Sequence, residues 1–203
     1  MITLINSQNP QGRLIKKVVE SLRNGGIIIY PTDTAYGIGC DIFNKKSIEA
    51  ICQLTTRNKN KPLSFICADL KDISLYAKVT NMAYKIMKKH LPGPYTFILD
   101  ASRLVPKMII PKRQTVGIRV PNNNICLAML KEFGHPIISA SVKNEQGDFM
   151  SDINEICKKF GHGADFIIDG GEIYPEESSV ISLIDDRVEI VRRGKGNTGA
   201  FEY

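Results

Sequence analysis

Residues 32–39 place two hydroxyls, a carboxylate and two glycines, Thr32, Asp33, Thr34, Gly37 and Gly39, directly behind the apolar run 27–29. Short donors and closely approachable backbone amides at the end of a buried strand can hold a small ligand; the same residue types also make ordinary turns. Other chemistries have less support. Cys40, Cys52, Cys67, Cys126 and Cys157 are odd in number and widely spaced, and none forms a Cys-x-x-Cys pair, so reduced thiols are expected. His90, His135 and His162 are scattered near predicted helix ends or turns, which favours capping or solvated roles over metal binding. No metal site and no Ser-His-Asp arrangement can be read.

The 203 residues carry a formal net charge of +6. That charge is unevenly placed: residues 1–143 hold 21 Lys and Arg against 8 Asp and Glu, and residues 144–203 hold 6 against 13. No acid interrupts 77–99, with Lys78, Lys85, Lys88 and Lys89, or 101–119, with Arg103, Lys107, Lys112, Arg113 and Arg119. Folded onto one face, these cations would suit the phosphates of a nucleotide or of RNA; the alternative is a solvated lysine-rich exterior. No apolar run approaches the roughly 18 residues of a membrane span, and a cytoplasmic protein is expected.

The elements that must position these groups alternate along the chain. Helical spacing of Leu14, Ile15, Val18, Val19 and Leu22 predicts a helix over 10–23, released at Asn24-Gly25-Gly26. A strand at 27–29 must stop at Pro31, which has no amide hydrogen for a ladder. Ser47 is the expected N-cap of the next helix, with Ile48, Ile51 and Leu54 inward. Strands are expected at 63–67, 95–99, 115–120, 165–168, 180–184 and 188–191, the last two joined by a tight turn at Asp185-Asp186-Arg187. Further helices are expected over 80–90, with Met82, Ile86 and Met87 inward, over 124–133 ending at Gly134, and from the cap Asp152 through Phe160. An apolar then hydroxyl-rich segment spans 136–142. This alternation predicts an α/β fold, a sandwich around a twisted sheet, and 1–203 reads as a single domain.

Several motifs in order resemble one family, the YrdC/YciO-type proteins, which include the threonylcarbamoyl-AMP synthases of tRNA modification. They are Tyr30-Pro-Thr-Asp-Thr-Ala-Tyr-Gly-Ile-Gly39, Lys61-Pro-Leu63, Leu91-Pro-Gly-Pro-Tyr-Thr96, Thr115-Val-Gly-Ile-Arg-Val-Pro121, Ile138-Ser-Ala-Ser141, Ser178-Ser-Val-Ile181 and Val191-Arg192. The resemblance implies a twisted mixed sheet flanked by helices, with a deep basic cavity. It also implies a reaction of L-threonine, bicarbonate and ATP, with Mg2+ on the phosphates, giving threonylcarbamoyl-adenylate and pyrophosphate. By the same resemblance Thr34, Arg119, Ser139 and Ser178 would meet threonine, with Arg119 gripping its carboxylate in a two-pronged geometry. Arg57, Lys61, Thr115, Ser141 and Arg192 would meet ATP.

Two positions depart from the synthase pattern. Where the synthases resemble one another in Lys-x-Arg and Ser-x-Asn, this chain has Thr55-Thr56-Arg57 and Ser141-Val142-Lys143, which places it nearer the YciO-like branch. Loss of one preorganised donor costs about 100 to 1,000-fold in rate. Arg57 and Lys143 are the expected catalytic cations, with Lys143 replacing the missing lysine from the opposite wall. The competing readings are a protein that binds double-stranded RNA, tRNA or the ribosome with weak or no turnover, whose affinity would fall steeply with salt, and a generic small-molecule binder.

Overall fold

Pro31 does end a strand, at Ile28–Tyr30, but the chain then turns straight back as a second strand, Gly37–Asp41, where only a loop is expected. The computed structural model describes residues 2–55, 63–106 and 114–202. In chain order the elements are β1 (Ile2–Leu4), α1 (Gly12–Arg23), β2 (Ile28–Tyr30), β3 (Gly37–Asp41), α2 (Lys45–Leu54), β4 (Ser64–Ile66), α3 (Leu70–Tyr76) and α4 (Asn81–His90). Then come β5 (Tyr95–Asp100), β6 (Thr115–Arg119), α5 (Asn124–Phe133), β7 (Ile137–Ser141), α6 (Ile153–Phe160), β8 (Phe166–Asp169), β9 (Ser179–Ser182) and β10 (Glu189–Arg192).

Side-chain caps fix most of the helix starts. Thr80 accepts from Ala83 N before α4, Asn123 from Cys126 N before α5 and Asp152 from Asn154 N before α6. Gly134, at φ +91°, ends α5 in a conformation that disfavours a Cβ. Ser47 does not cap α2. Asn44 does, accepting from Ser47 N, while the Ser47 hydroxyl donates to Gly25 O at 2.5 Å. On α4, Ala83 and Met87 are fully buried, and Met82 and Ile86 are half-buried beside them.

The strands form one twisted, open, ten-stranded mixed sheet in the order β1-β8-β2-β3-β7-β4-β6-β5-β9-β10. One face presents Ile29, Ile38, Phe65, Phe97, Ile118 and Ile138 to α2, α3, α4 and α6. The other face begins apolar, with Ile28, Tyr30, Ile66 and Ile137 packed beneath α1 and α5. Because side chains alternate along a strand, the residues two and four places from these share their face. On β7 the row Ile137, Ser139, Ser141 runs from apolar to polar, and on β4 Ile66 gives way to Ser64.

Candidate functional site

Strand register assembles the polar half of that face from four strands. Ser139 lies opposite both Gly39 and Ser64, Ser64 lies opposite Gly117, and Ser141 lies opposite Gly37. The row is narrow in side chain, hydroxyl or hydrogen at each step, and it opens outward, from Ser139 buried, through Ser64 and Gly117 half-buried, to Ser141 exposed. A Cβ on Gly117 would lie 3.4 Å from Thr96 Cγ2 and 3.5 Å from Ser64 Oγ, so those two side chains border the gap the glycine leaves. The glycines of β3 have a different purpose. A Cβ on Gly37 would lie 2.9 Å from Tyr30 Cζ, so glycine makes room for the buried tyrosine ring.

Tyr30 supports the row from below. Its hydroxyl donates to Ser139 Oγ at 2.6 Å, and burial, followed by the nearby Cys126, raises its pKa well above the usual phenol value, which keeps it a neutral donor. Ser139 Oγ in turn lies 3.3 Å from Ile38 O.

The loop between β2 and β3 forms the mouth of the row. Thr32 Oγ1 donates to Ala35 O at 2.6 Å and accepts from the Thr34 and Ala35 amides, both at 3.1 Å, so this hydroxyl holds the turn itself. Thr34 Oγ1, almost fully buried, lies 3.2 Å from Thr32 Oγ1. Between them Asp33 pairs with Arg119 Nη2, accepts from Asn122 N at 3.0 Å, and offers its carbonyl to Lys195 Nζ at 2.9 Å. The Arg119–Asp33 pair is buried, not the surface pair a strand-end arginine would make. Arg119 Nε is also buried and has no hydrogen-bond partner among the described residues. A buried guanidinium N–H without an acceptor is costly, and a ligand oxygen would satisfy it.

A second group lies where β9 and β10 meet the segment 170–178. Ser178 Oγ is 2.8 Å from Thr96 Oγ1, and Arg192 donates from Nε and Nη2 to Ser178 O at 3.0 and 2.8 Å. Lys143 Nζ and Arg192 Nη1 both reach Glu177, at 3.3 and 3.2 Å. The backbone joins this group to the mouth loop, since Glu176 N donates to Thr34 O at 2.9 Å.

Of the residues expected to act, Thr34 and Arg119 therefore meet around Asp33, and Ser178, Arg192 and Lys143 form a connected network. Ser139 lies in the floor. Thr115, half-buried opposite Asp100, and Ser141, exposed opposite Gly37, stand at the open ends of β6 and β7. Arg57 and Lys61 lie outside the described residues. Lys143, the expected catalytic cation, is engaged by Glu177. Not all the cations share one face: α4 packs on the apolar side of the sheet, and its exposed Lys85, Lys88 and Lys89 lie on the opposite side from Arg119. Sequence reasoning missed Glu177, Thr96 and the support from Tyr30; only their positions inside or beside the motif runs hinted at them.

The model of the Sua5/YciO/YrdC family, described as "Telomere recombination", matches residues 20–194. The chain belongs to this family. YciO of Escherichia coli strain K12 is 40% identical to it over 199 residues, covering 97% of each chain. The crystal structure of E. coli YciO superposes with a TM-score of 0.94 at 38% identity, covering 100% of this chain and 99% of the other. A threonylcarbamoyl-AMP synthase of Buchnera aphidicola is 32% identical over 174 residues, covering 82% of this chain and 97% of the synthase. P. abyssi Sua5, crystallised with L-threonine, matches with a TM-score of 0.84 at 26% identity, covering 90% of this chain and 54% of that one.

Proposed function

We propose that this protein joins L-threonine, bicarbonate and ATP into threonylcarbamoyl-adenylate, releasing pyrophosphate, as a member of a tRNA-modification family. The observation that carries this reading is Arg119: Asp33 holds one terminal nitrogen, while Nε is buried next to the hydroxyl loop and has no partner among the described residues. An α-carboxylate would supply the missing acceptor, and Asp33 then acts as a positioning residue that aims the guanidinium. Thr34 and Ser139 offer hydroxyls to the rest of the amino acid, and the small Ser64–Gly117 stretch leaves room for it. The threonine kept by the related Sua5 supports the same ligand class.

In this reading the amine of threonine attacks bicarbonate-derived carbon dioxide to form a carbamate. A carbamate oxygen then attacks the α-phosphate, and pyrophosphate leaves. Arg57, Lys61, Thr115, Ser141 and Arg192 are the ATP contacts that the family resemblance implies, and cations there would stabilise charge on the phosphoryl oxygens. In this reading Mg2+ arrives on the phosphates of ATP. Calorimetric titration tests the amino-acid half: threonine binds the wild type, and Arg119→Lys, which keeps the charge and loses Nε, binds at least tenfold more weakly. Equal affinity in the two proteins would overturn it.

A second reading, RNA binding, has its own surface. Lys78, Lys85, Lys88 and Lys89 are exposed on or beside α4, on the opposite side of the sheet from Arg119. Affinity for tRNA that falls linearly with log salt and drops on Lys85→Ala/Lys88→Ala/Lys89→Ala supports it; binding unaffected by these changes refutes it.

A further inference from the structure

Lys143 follows β7 and Arg192 closes β10, yet both cations reach the same carboxylate. Glu177 Oε1 is 3.3 Å from Lys143 Nζ, and Glu177 Oε2 is 3.2 Å from Arg192 Nη1. Arg192 is held in this pose from its other edge, where Nε and Nη2 donate to Ser178 O and Nη2 also reaches Ser178 Oγ at 3.1 Å. Lys143 Nζ additionally sits 4.1 Å from the centre of the Phe149 ring. The two cations are thus fixed by contacts that do not involve Glu177. The backbone around Glu177 is fixed as well: Glu176 N donates to Thr34 O, and Glu177 O accepts from Lys195 N at 2.8 Å. The Glu177 side chain is the exchangeable part, with 40% of its surface exposed.

The charges do not balance. Two positive groups face one carboxylate, and a group carrying two or more negative charges would match them better than a single glutamate does. Ion pairs this exposed are weak and readily exchanged. We propose that Lys143 and Arg192 form a seat for a polyphosphate, and that Glu177 is a built-in occupant which the incoming anion displaces. This deepens the adenylate-forming reading, on which it rests, by naming where the departing pyrophosphate is held. It also gives Lys143 a function that the family pattern does not supply: one half of an anion seat whose emptiness is prevented by the chain's own carboxylate.

Inorganic pyrophosphate, titrated without Mg2+ into the full-length protein, tests the seat directly. Glu177→Gln removes the competing charge and keeps the backbone contacts; it should bind about 3- to 10-fold more tightly than the wild type. Lys143→Ala should bind more weakly, and in Lys143→Ala/Glu177→Gln the gain should shrink, because only Arg192 is then released. Thermal melts of each variant establish that the comparison is between folded proteins. Glu177→Gln binding no more tightly, a gain that is undiminished without Lys143, or no pyrophosphate binding by any variant would each overturn the proposal. Binding that requires Mg2+ and is lost in Glu177→Gln would also overturn it, by making Glu177 a metal ligand. The two readings separate cleanly, because adenylate formation without the Glu177→Gln gain refutes the seat alone, and the gain without adenylate refutes the synthase alone.

Discussion

Asp33→Asn isolates what the buried ion pair contributes. The substitution keeps the shape of the side chain and an acceptor for Asn122 N, but it removes the charge that opposes Arg119. Both side chains are nearly buried, at 10% exposure for Arg119 and 12% for Asp33. Stranding one member of a buried pair costs about 3–5 kcal/mol, and the retained hydrogen bond puts the expected loss at the lower end, about 3 kcal/mol. For a chain of this size each kcal/mol lowers Tm by about 2–4 °C, so a fall of about 6–12 °C is expected in a thermal scan. Adding Arg119→Met removes the stranded cation, so the double variant should be more stable than the sum of the two single changes implies, by about 1–3 kcal/mol. Threonine should also raise the Tm of Asp33→Asn, because its carboxylate restores a negative charge beside the guanidinium. A Tm within about 2 °C of wild type would refute this reasoning, since the pair would then contribute little more than a surface contact. Strict additivity of the two changes would refute it as well.

Gly37→Ala and Gly117→Ala should separate the two uses of glycine on this face. A Cβ at Gly37 meets the Tyr30 ring at 2.9 Å and should cost about 1–3 kcal/mol in denaturant unfolding, whereas one at Gly117 finds ordinary contacts at 3.4 Å and should leave stability close to wild type while weakening threonine binding. Asn44→Ala removes the cap of α2 and should cost about 1 kcal/mol, measured by urea unfolding, with Ser47→Ala leaving that cap intact. Burial, then Asp41 and Cys52, pushes the Cys40 thiol from 9.0 up to about 12. A group whose folded pKa is raised gives stability that is complete below its unfolded pKa and lost as pH rises toward the folded one. Tm should therefore decline between pH 9 and 12 through Cys40 and the other buried thiols, and Cys40→Ala should decline less steeply.

The parts of the fold that were legible in sequence are those written in local chemistry. Pro31 stops β2, Gly134 ends α5, and Asp152 starts α6, because each signal acts within a few residues of itself. Strand β3 was not legible: Gly37 and Gly39 disfavour a strand by propensity, and their reason lies on the neighbouring strands, in the Tyr30 ring beside Gly37 and the Ile138 carbonyl beside Gly39. Helix α3 is seven residues long, too short for a periodic pattern to stand out, and only the cap Asp69 marks its start. At the site, Arg119 and Thr34 were visible through their motifs, but the Arg119–Asp33 pair spans 86 positions and joins the loop after β2 to the end of β6, with three strands between β2 and β6 in the sheet. Glu177 was hidden for the same reason. Its partners Lys143 and Arg192 come from separate strand ends, and nothing in the local sequence says that one carboxylate will join them.

The central claim is tested most directly by incubating the protein with L-threonine, bicarbonate, Mg2+ and ATP labelled at the α-phosphate, and resolving the products by chromatography. The account predicts labelled threonylcarbamoyl-adenylate that requires both threonine and bicarbonate and is lost in Arg119→Lys and Arg57→Ala. Absence of the adenylate from the wild type, or its undiminished formation by Arg119→Lys, would contradict it.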